Sequence, residues 1–156
     1  MDLGLTGKVA LVTGGSEGIG KAAALSMVAE GAKATICARR EDVLNAAADE
    51  IRAATGGEVL AVTADVSTPE GVQKVIDATL SQFGRLDILV NNAGITRYAK
   101  FMDVREEDWD RIHRVNAKGA FFCMQRVAGE LISQGEGGRI INIASIAGKG
   151  YQGTSN

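Results

Sequence analysis

Five short apolar runs recur along the chain, each followed by a longer stretch with helical spacing, and this alternation limits the available folds more than any other feature. Val9-Ala10-Leu11-Val12 is continuous rather than alternating, so a strand made from it is buried on both faces. Ala34 to Ala38, Val59 to Val62, Leu86 to Val90 and Arg139 to Ala144 read as four further strands. Between them, the spacing predicts a helix over 18–30, packing through Ile19, Ala22, Ala23 and Val28 and closed by Gly31, and another over 42–54. A third helix opens at Ser67-Thr68-Pro69-Glu70, read as a Ser-x-x-Glu capping box with proline in the first turn. A long fourth helix spans 109–133, with Glu106, Glu107 and Asp108 favouring its positive end. Strand and helix alternating through short links imply a parallel α/β sheet with right-handed crossovers. No repeat, low-complexity tract or linker divides the sequence, so 1–156 is read as one domain. The fifth strand would lie at an open edge and is followed by a polar, glycine-rich stretch, so the fold is expected to be interrupted there.

Composition narrows the function classes. A net charge of −2 with no basic cluster argues against nucleic acid, and no apolar run is long enough to cross a bilayer. The two cysteines, Cys37 and Cys123, are far apart and outside any metal-ligand spacing. No metal site is expected, and two free thiols point to a reducing, cytoplasmic setting. Twenty glycines stand against one proline, several of them at the ends of apolar runs, where strands turn sharply into helices beside a ligand.

The first of these turns is Thr13-Gly14-Gly15-Ser16-Glu17-Gly18-Ile19-Gly20. Gly14 would permit the tight turn, Gly18 the approach of a pyrophosphate, and Gly20 the close packing of helix on strand. Helix-start N–H groups and the macrodipole would complete an anion site; a plain turn is the alternative, and the strand and helix that flank the glycines favour the site. After the second strand, where NAD-binding folds carry an acid for the ribose 2′-hydroxyl, stand Ala38, Arg39 and Arg40. Guanidinium groups suit a 2′-phosphate, although both arginines could also simply face water, and Glu17 would oppose such a phosphate. Asp65-Val66 follows the third strand, where Asp65 could be a helix-entry acid or a ligand contact. Asn91-Asn92-Ala93-Gly94 follows the fourth, with two amides to tie backbones and two small residues to admit a ring.

In order and spacing these motifs, with Asn116 on the long helix and Ser145 at the end of the fifth strand, resemble the classical short-chain dehydrogenase/reductase family. The resemblance implies a Rossmann-type doubly wound parallel sheet, truncated after the fifth strand. It also implies hydride transfer between a nicotinamide and a carbonyl or alcohol. Gly14, Ser16, Glu17, Gly18, Ile19, Gly20, Arg39, Arg40, Asp65, Val66, Asn92, Ala93 and Gly94 then fall to the cofactor, NADP with NAD as the alternative. Ser145 matches the family serine that hydrogen-bonds the substrate oxygen. Asn116, sharing a face with Ile112, Gly119 and Cys123 and expected to be buried, matches the asparagine that holds a water near the catalytic lysine. The family's Tyr-x-x-x-Lys pair does not occur in these 156 residues: Tyr151 is followed by Ser155, and Lys149 precedes it. The chain alone is therefore expected to be inactive. His113, the one histidine, reads as an ordinary helix residue. Asn91 to Arg97 and Asp108-Trp109-Asp110 are most similar to 3-oxoacyl-(acyl-carrier) reductases; NAD-linked sugar, polyol or acetoin-like dehydrogenases and a non-catalytic dinucleotide-binding fragment are the alternatives. Family members pair through the long helix, so a homodimer or homotetramer is expected.

Overall fold

The computed structural model describes residues 2–146, and Lys149 and Tyr151 lie outside them. Five strands form one parallel sheet: β1 (Val9–Thr13), β2 (Lys33–Ala38), β3 (Val59–Thr63), β4 (Ile88–Asn91) and β5 (Arg139–Asn142), in the order β3-β2-β1-β4-β5. β5 stops at Asn142, two residues short of the expected end at Ala144, because pairing with β4 ends at Asn91 and Asn142. Ser145 accordingly lies three residues past the strand rather than at its end.

Strand residues alternate between two cores. Ala10, Val12, Ala34 and Ile36 face α1 (Gly18–Ala29) and α2 (Glu41–Thr55), while Val9, Leu11, Cys37 and Leu89 face α3 (Pro69–Phe83) and α5 (Ala120–Gln134). Both sides being covered explains why the runs are continuously apolar. Within α1 the buried positions are Gly20, Ala24 and Val28, whereas Ile19 and Ala22 face outward, contrary to expectation. The i, i+4, i+8 stripe that meets the sheet starts at the glycine because only that residue fits against the turn below.

Two helix starts depart from the sequence reading. The cap of α3 is Thr68, whose hydroxyl accepts the Gly71 N–H at 3.1 Å; Ser67 instead donates its N–H to Asp65 Oδ1, so the Ser67–Glu70 box does not form. The long helix begins at Glu106 and is not uniform: α4 (Glu106–His113) passes through a π-helical stretch, Arg114–Gly119, into α5. Gly119 sits where an added Cβ would lie 2.8 Å from the Val66 carbonyl, so the helix packs closely against the segment between β3 and α3. Among the described residues no helix is long and apolar enough to cross a membrane.

Candidate functional site

The order of strands reverses between β1, which leads outward to β2 and β3, and β4, which leads to β5. Ligand crevices in open α/β sheets lie outside the carboxyl ends of the strands at such a switch point. A cleft of about 430 Å3 opens there, and the turn after β1 forms one wall. Gly14 and Gly18 take left-handed φ values of 64° and 55°, conformations in which a side chain would be strained. At Gly20 a Cβ would lie 2.4 Å from both the Gly14 carbonyl oxygen and Asn92 Nδ2, so helix and turn meet backbone to side chain. A Cβ at Gly18 would meet nothing within 4 Å, and no side chain caps the start of α1. Open space thus lies over a helix N-terminus whose first N–H groups have no intrahelical partner, which fits a pyrophosphate.

The end of β4 is locked to this turn by a residue the sequence reading passed over. Thr13 is buried, and its hydroxyl accepts N–H groups from Asn92 at 3.0 Å and Ala93 at 2.9 Å while donating to the Val90 carbonyl. Asn92 Nδ2 in turn donates to the carbonyls of Thr13 and Gly14. Asn91 ties the other side, donating to Ala120 O at 3.1 Å and Asn142 Oδ1 at 3.0 Å. The two amides join β1, β4, β5 and α5. The signal for Thr13 was its place as the last residue of a buried strand, where a hydroxyl needs a partner.

At the far end of the cleft, Gly14, Ser16, Glu17, Arg39 and Arg40 line one side, and Asp65, Val66, Ala93 and Gly94 the other. Ala38 leaves no carboxylate at the end of β2. Glu17 and Arg40 form an ion pair with each other, so the acid in the glycine turn is engaged by the second arginine rather than set against the first. Burial raises the Asp65 pKa, but hydrogen bonds from Ser67 and the charges of Arg39 and Arg114 outweigh it and hold the carboxyl below its usual range. Gly18, Ile19, Gly20 and Asn92 do not line the cleft; Gly20 and Asn92 pack against the Gly14 backbone behind it, and Ile19 is exposed at the helix start. Cys37, also in the lining, is pushed up to about 12 by burial and by the facing Cys123 thiol, against a hydrogen bond from the Gly14 backbone, and is no nucleophile.

On the opposite flank, Asn116 lies in the π-helical stretch and is exposed rather than buried. Its side chain closes a reciprocal pair with Ile95: Oδ1 accepts the Ile95 N–H and Nδ2 donates to the Ile95 carbonyl, each at 2.8 Å. The loop after β4 is therefore held at Ile95 by one amide, and again at Arg97, which with Arg105 pairs with the buried Asp108 at the start of α4. Those arginines hold the Asp108 carboxyl below its usual range. Ile95 and Val115 both line the cleft, and neither was expected to. Ser145 is exposed and is absent from the cleft lining. His113 stacks on Trp109 at a ring separation of 4.1 Å. Among the described residues no group of His, Cys, Asp and Glu could hold a metal ion.

A parallel sheet with this order, covered on both faces and cleft at its switch point, is a Rossmann-type fold. The model of the short chain dehydrogenases matches residues 8–156, and the chain belongs to that family. A 3-oxoacyl-[acyl-carrier-protein] reductase from Synechocystis sp. is 44% identical over 154 residues, covering 97% of this chain and 62% of that protein. The structure of L-sorbose reductase from Gluconobacter frateurii, complexed with NADPH and L-sorbose, is 38% identical with a TM-score of 0.92, covering 99% of this chain and 59% of that one. An NAD+-bound xylitol dehydrogenase is 35% identical with a TM-score of 0.89, covering 97% and 57%. The chain thus spans about three-fifths of the length of these relatives.

Proposed function

We propose that the chain is the coenzyme-binding part of an NADP-dependent carbonyl reductase acting on a 3-oxoacyl-type substrate, a soluble cytoplasmic enzyme. Family membership and the Synechocystis relative support the activity. The observation that carries the coenzyme is at the adenosine end, where Ala38 replaces an acid, Arg39 lines the cleft, and Glu17 is engaged by Arg40. When bound, NADPH supplies the hydride for the carbonyl carbon. The turn from Gly14 to Gly20 would receive its pyrophosphate on the α1 N–H groups. Thr13 and Asn92 would keep Ala93 and Gly94 close beneath the nicotinamide end, and Asp65 and Val66 would lie along the adenine. Ser145 would donate a hydrogen bond to the substrate oxygen, stabilising charge as it develops. Asn116 would act as a positioning residue, fixing the loop through Ile95.

No Tyr-x-x-x-Lys pair occurs in the 156 residues, so the chain by itself is expected to reduce no ketone; general acid catalysis is worth on the order of 10²–10⁴ in rate. A second reading, an NAD-linked dehydrogenase of a sugar or polyol, draws on the Glu17 carboxylate and the likeness to the xylitol dehydrogenase. Coenzyme titration followed by fluorescence separates the two. NADPH should bind about tenfold more tightly than NADH, the size of one charge-assisted contact, and Arg39→Ala should remove most of that difference. Equal affinities, or tighter NADH, would favour the second reading. The exposed Trp109, Phe121 and Phe122 of the long helix support assembly into a homodimer or homotetramer.

A further inference from the structure

A second groove, of about 500 Å3, adjoins the cleft, and Arg39, Ala64 and Asp65 line both. Lys74, on α3, lines this groove and not the cleft, and its ammonium donates to the Thr63 carbonyl at 2.8 Å. Thr63 is the register partner of Ala38, the residue before Arg39. Ala38 accepts the Ala64 N–H, so in this parallel register the Thr63 carbonyl turns to the open edge of β3, and it is the groove shared with Arg39 that puts the Lys74 ammonium on the same surface. Its partner is also unusual within this chain. Lys8, Lys21 and Lys33 each reach a carboxylate, whereas Lys74 ends on a neutral oxygen that takes one of its three N–H donors. Of the acids in the groove, Asp65 accepts the Ser67 N–H and feels the Arg39 charge; Glu70 stands at the start of the same helix.

Arg39 and Lys74 are therefore two cations on one continuous surface at the adenosine end. We infer that Lys74 is a specificity-determining residue for a phosphomonoester on the adenosine ribose, acting together with Arg39. The inference rests on the NADP reading and deepens it. The fork of Arg39 suits two phosphate oxygens, and the ammonium, a compact charge on a flexible stem, leaves Thr63 at the loss of a single exposed hydrogen bond. Glu70 limits the gain, because its carboxylate repels the same phosphate.

Calorimetric titration with 2′,5′-ADP and with 5′-ADP tests this without the nicotinamide half of the coenzyme. Lys74→Gln should weaken 2′,5′-ADP about threefold to tenfold and leave 5′-ADP unchanged, while Lys74→Arg should keep most of the preference. A Lys74→Gln protein that binds both ligands as the parent does, with Arg39→Ala losing only 2′,5′-ADP, overturns the role of Lys74 and leaves the NADP reading standing. Equal weakening of both ligands by Lys74→Gln assigns the lysine to the shape of the groove and also overturns the inference. A parent protein that does not distinguish the two ligands overturns the NADP reading itself.

Discussion

The part of the sheet from β3 to β4 and the flank made by β5 with the α4–α5 helix are built from similar residues and end in opposite conditions. In the first, both faces are covered, and Leu11, Ile36 and Leu89 are without solvent contact. Asp87, at the amino end of β4, is buried there yet accepts the Val9 N–H at 2.9 Å and two hydrogen bonds from Arg85. Along the flank, Ile141 and Ile143 are exposed on and just after β5, and Phe121, Phe122 and Ile132 are exposed on α5. Exposed apolar surface in this amount marks places where something else packs. The candidate cleft sits mostly against the closed part, and Val115 is the lining residue contributed by the flank helix. Burial is thus concentrated around the proposed coenzyme site, and exposed apolar surface lies along the flank beyond it.

Paired truncations test that contrast most strongly. Leu89→Ala, in a fully enclosed place, should cost about 2–5 kcal/mol in urea unfolding, whereas Ile141→Ala should cost under about 1 kcal/mol. Similar losses at both positions would mean that the flank is as tightly packed as the core.

The next effect in size concerns Asp87. Burial raises its pKa, but the Arg85 and Val9 hydrogen bonds and the Arg85 and Lys8 charges win and hold it below the ordinary carboxylate value. The folded state therefore takes up the proton at lower pH than the unfolded chain. Stability from this group is fully present above about pH 5 and is lost as pH falls below about 4 toward the depressed folded value. Asp87→Asn should cost about 1.5–3 kcal/mol at neutral pH and make acid unfolding shallower. An unchanged pH profile would remove Asp87 from the closed part's account. The smallest effect is expected at the flank: Asn142→Ala takes one acceptor from Asn91, which keeps the Ala120 carbonyl, so melting should show a loss under about 1 kcal/mol.

The strands and their parallel order were legible because burial on both faces leaves continuous apolar runs. The glycine turn and the paired asparagines were legible as well, since backbone geometry there admits few residue types. What escaped depends on which partner a side chain selects. Ser67 and Thr68 are equally good caps on paper, and Asp65 settles the choice by accepting the Ser67 N–H. Glu17 is adjacent to nothing in sequence that announces Arg40 as its partner, 23 residues away. The π-helical stretch leaves no compositional trace, and with it went the expectation that Asn116 shares a buried face with Cys123.

That stretch has a further consequence. A π turn holds one more residue than an α turn in nearly the same rise, so in genetic terms it is a single-codon insertion absorbed by the helix. Beyond it, every side chain is rotated by about 100° relative to an uninterrupted helix, the angle one residue occupies in 3.6 per turn. The phase change lets one helix serve two clients: its first half turns Asp108 toward Arg97 and Arg105, and its second half turns Cys123 and Val127 into the sheet. Deleting any one residue from Val115 to Lys118 would bring the halves back into phase, so one of those two engagements, along with the Asn116–Ile95 pair between them, would have to give way.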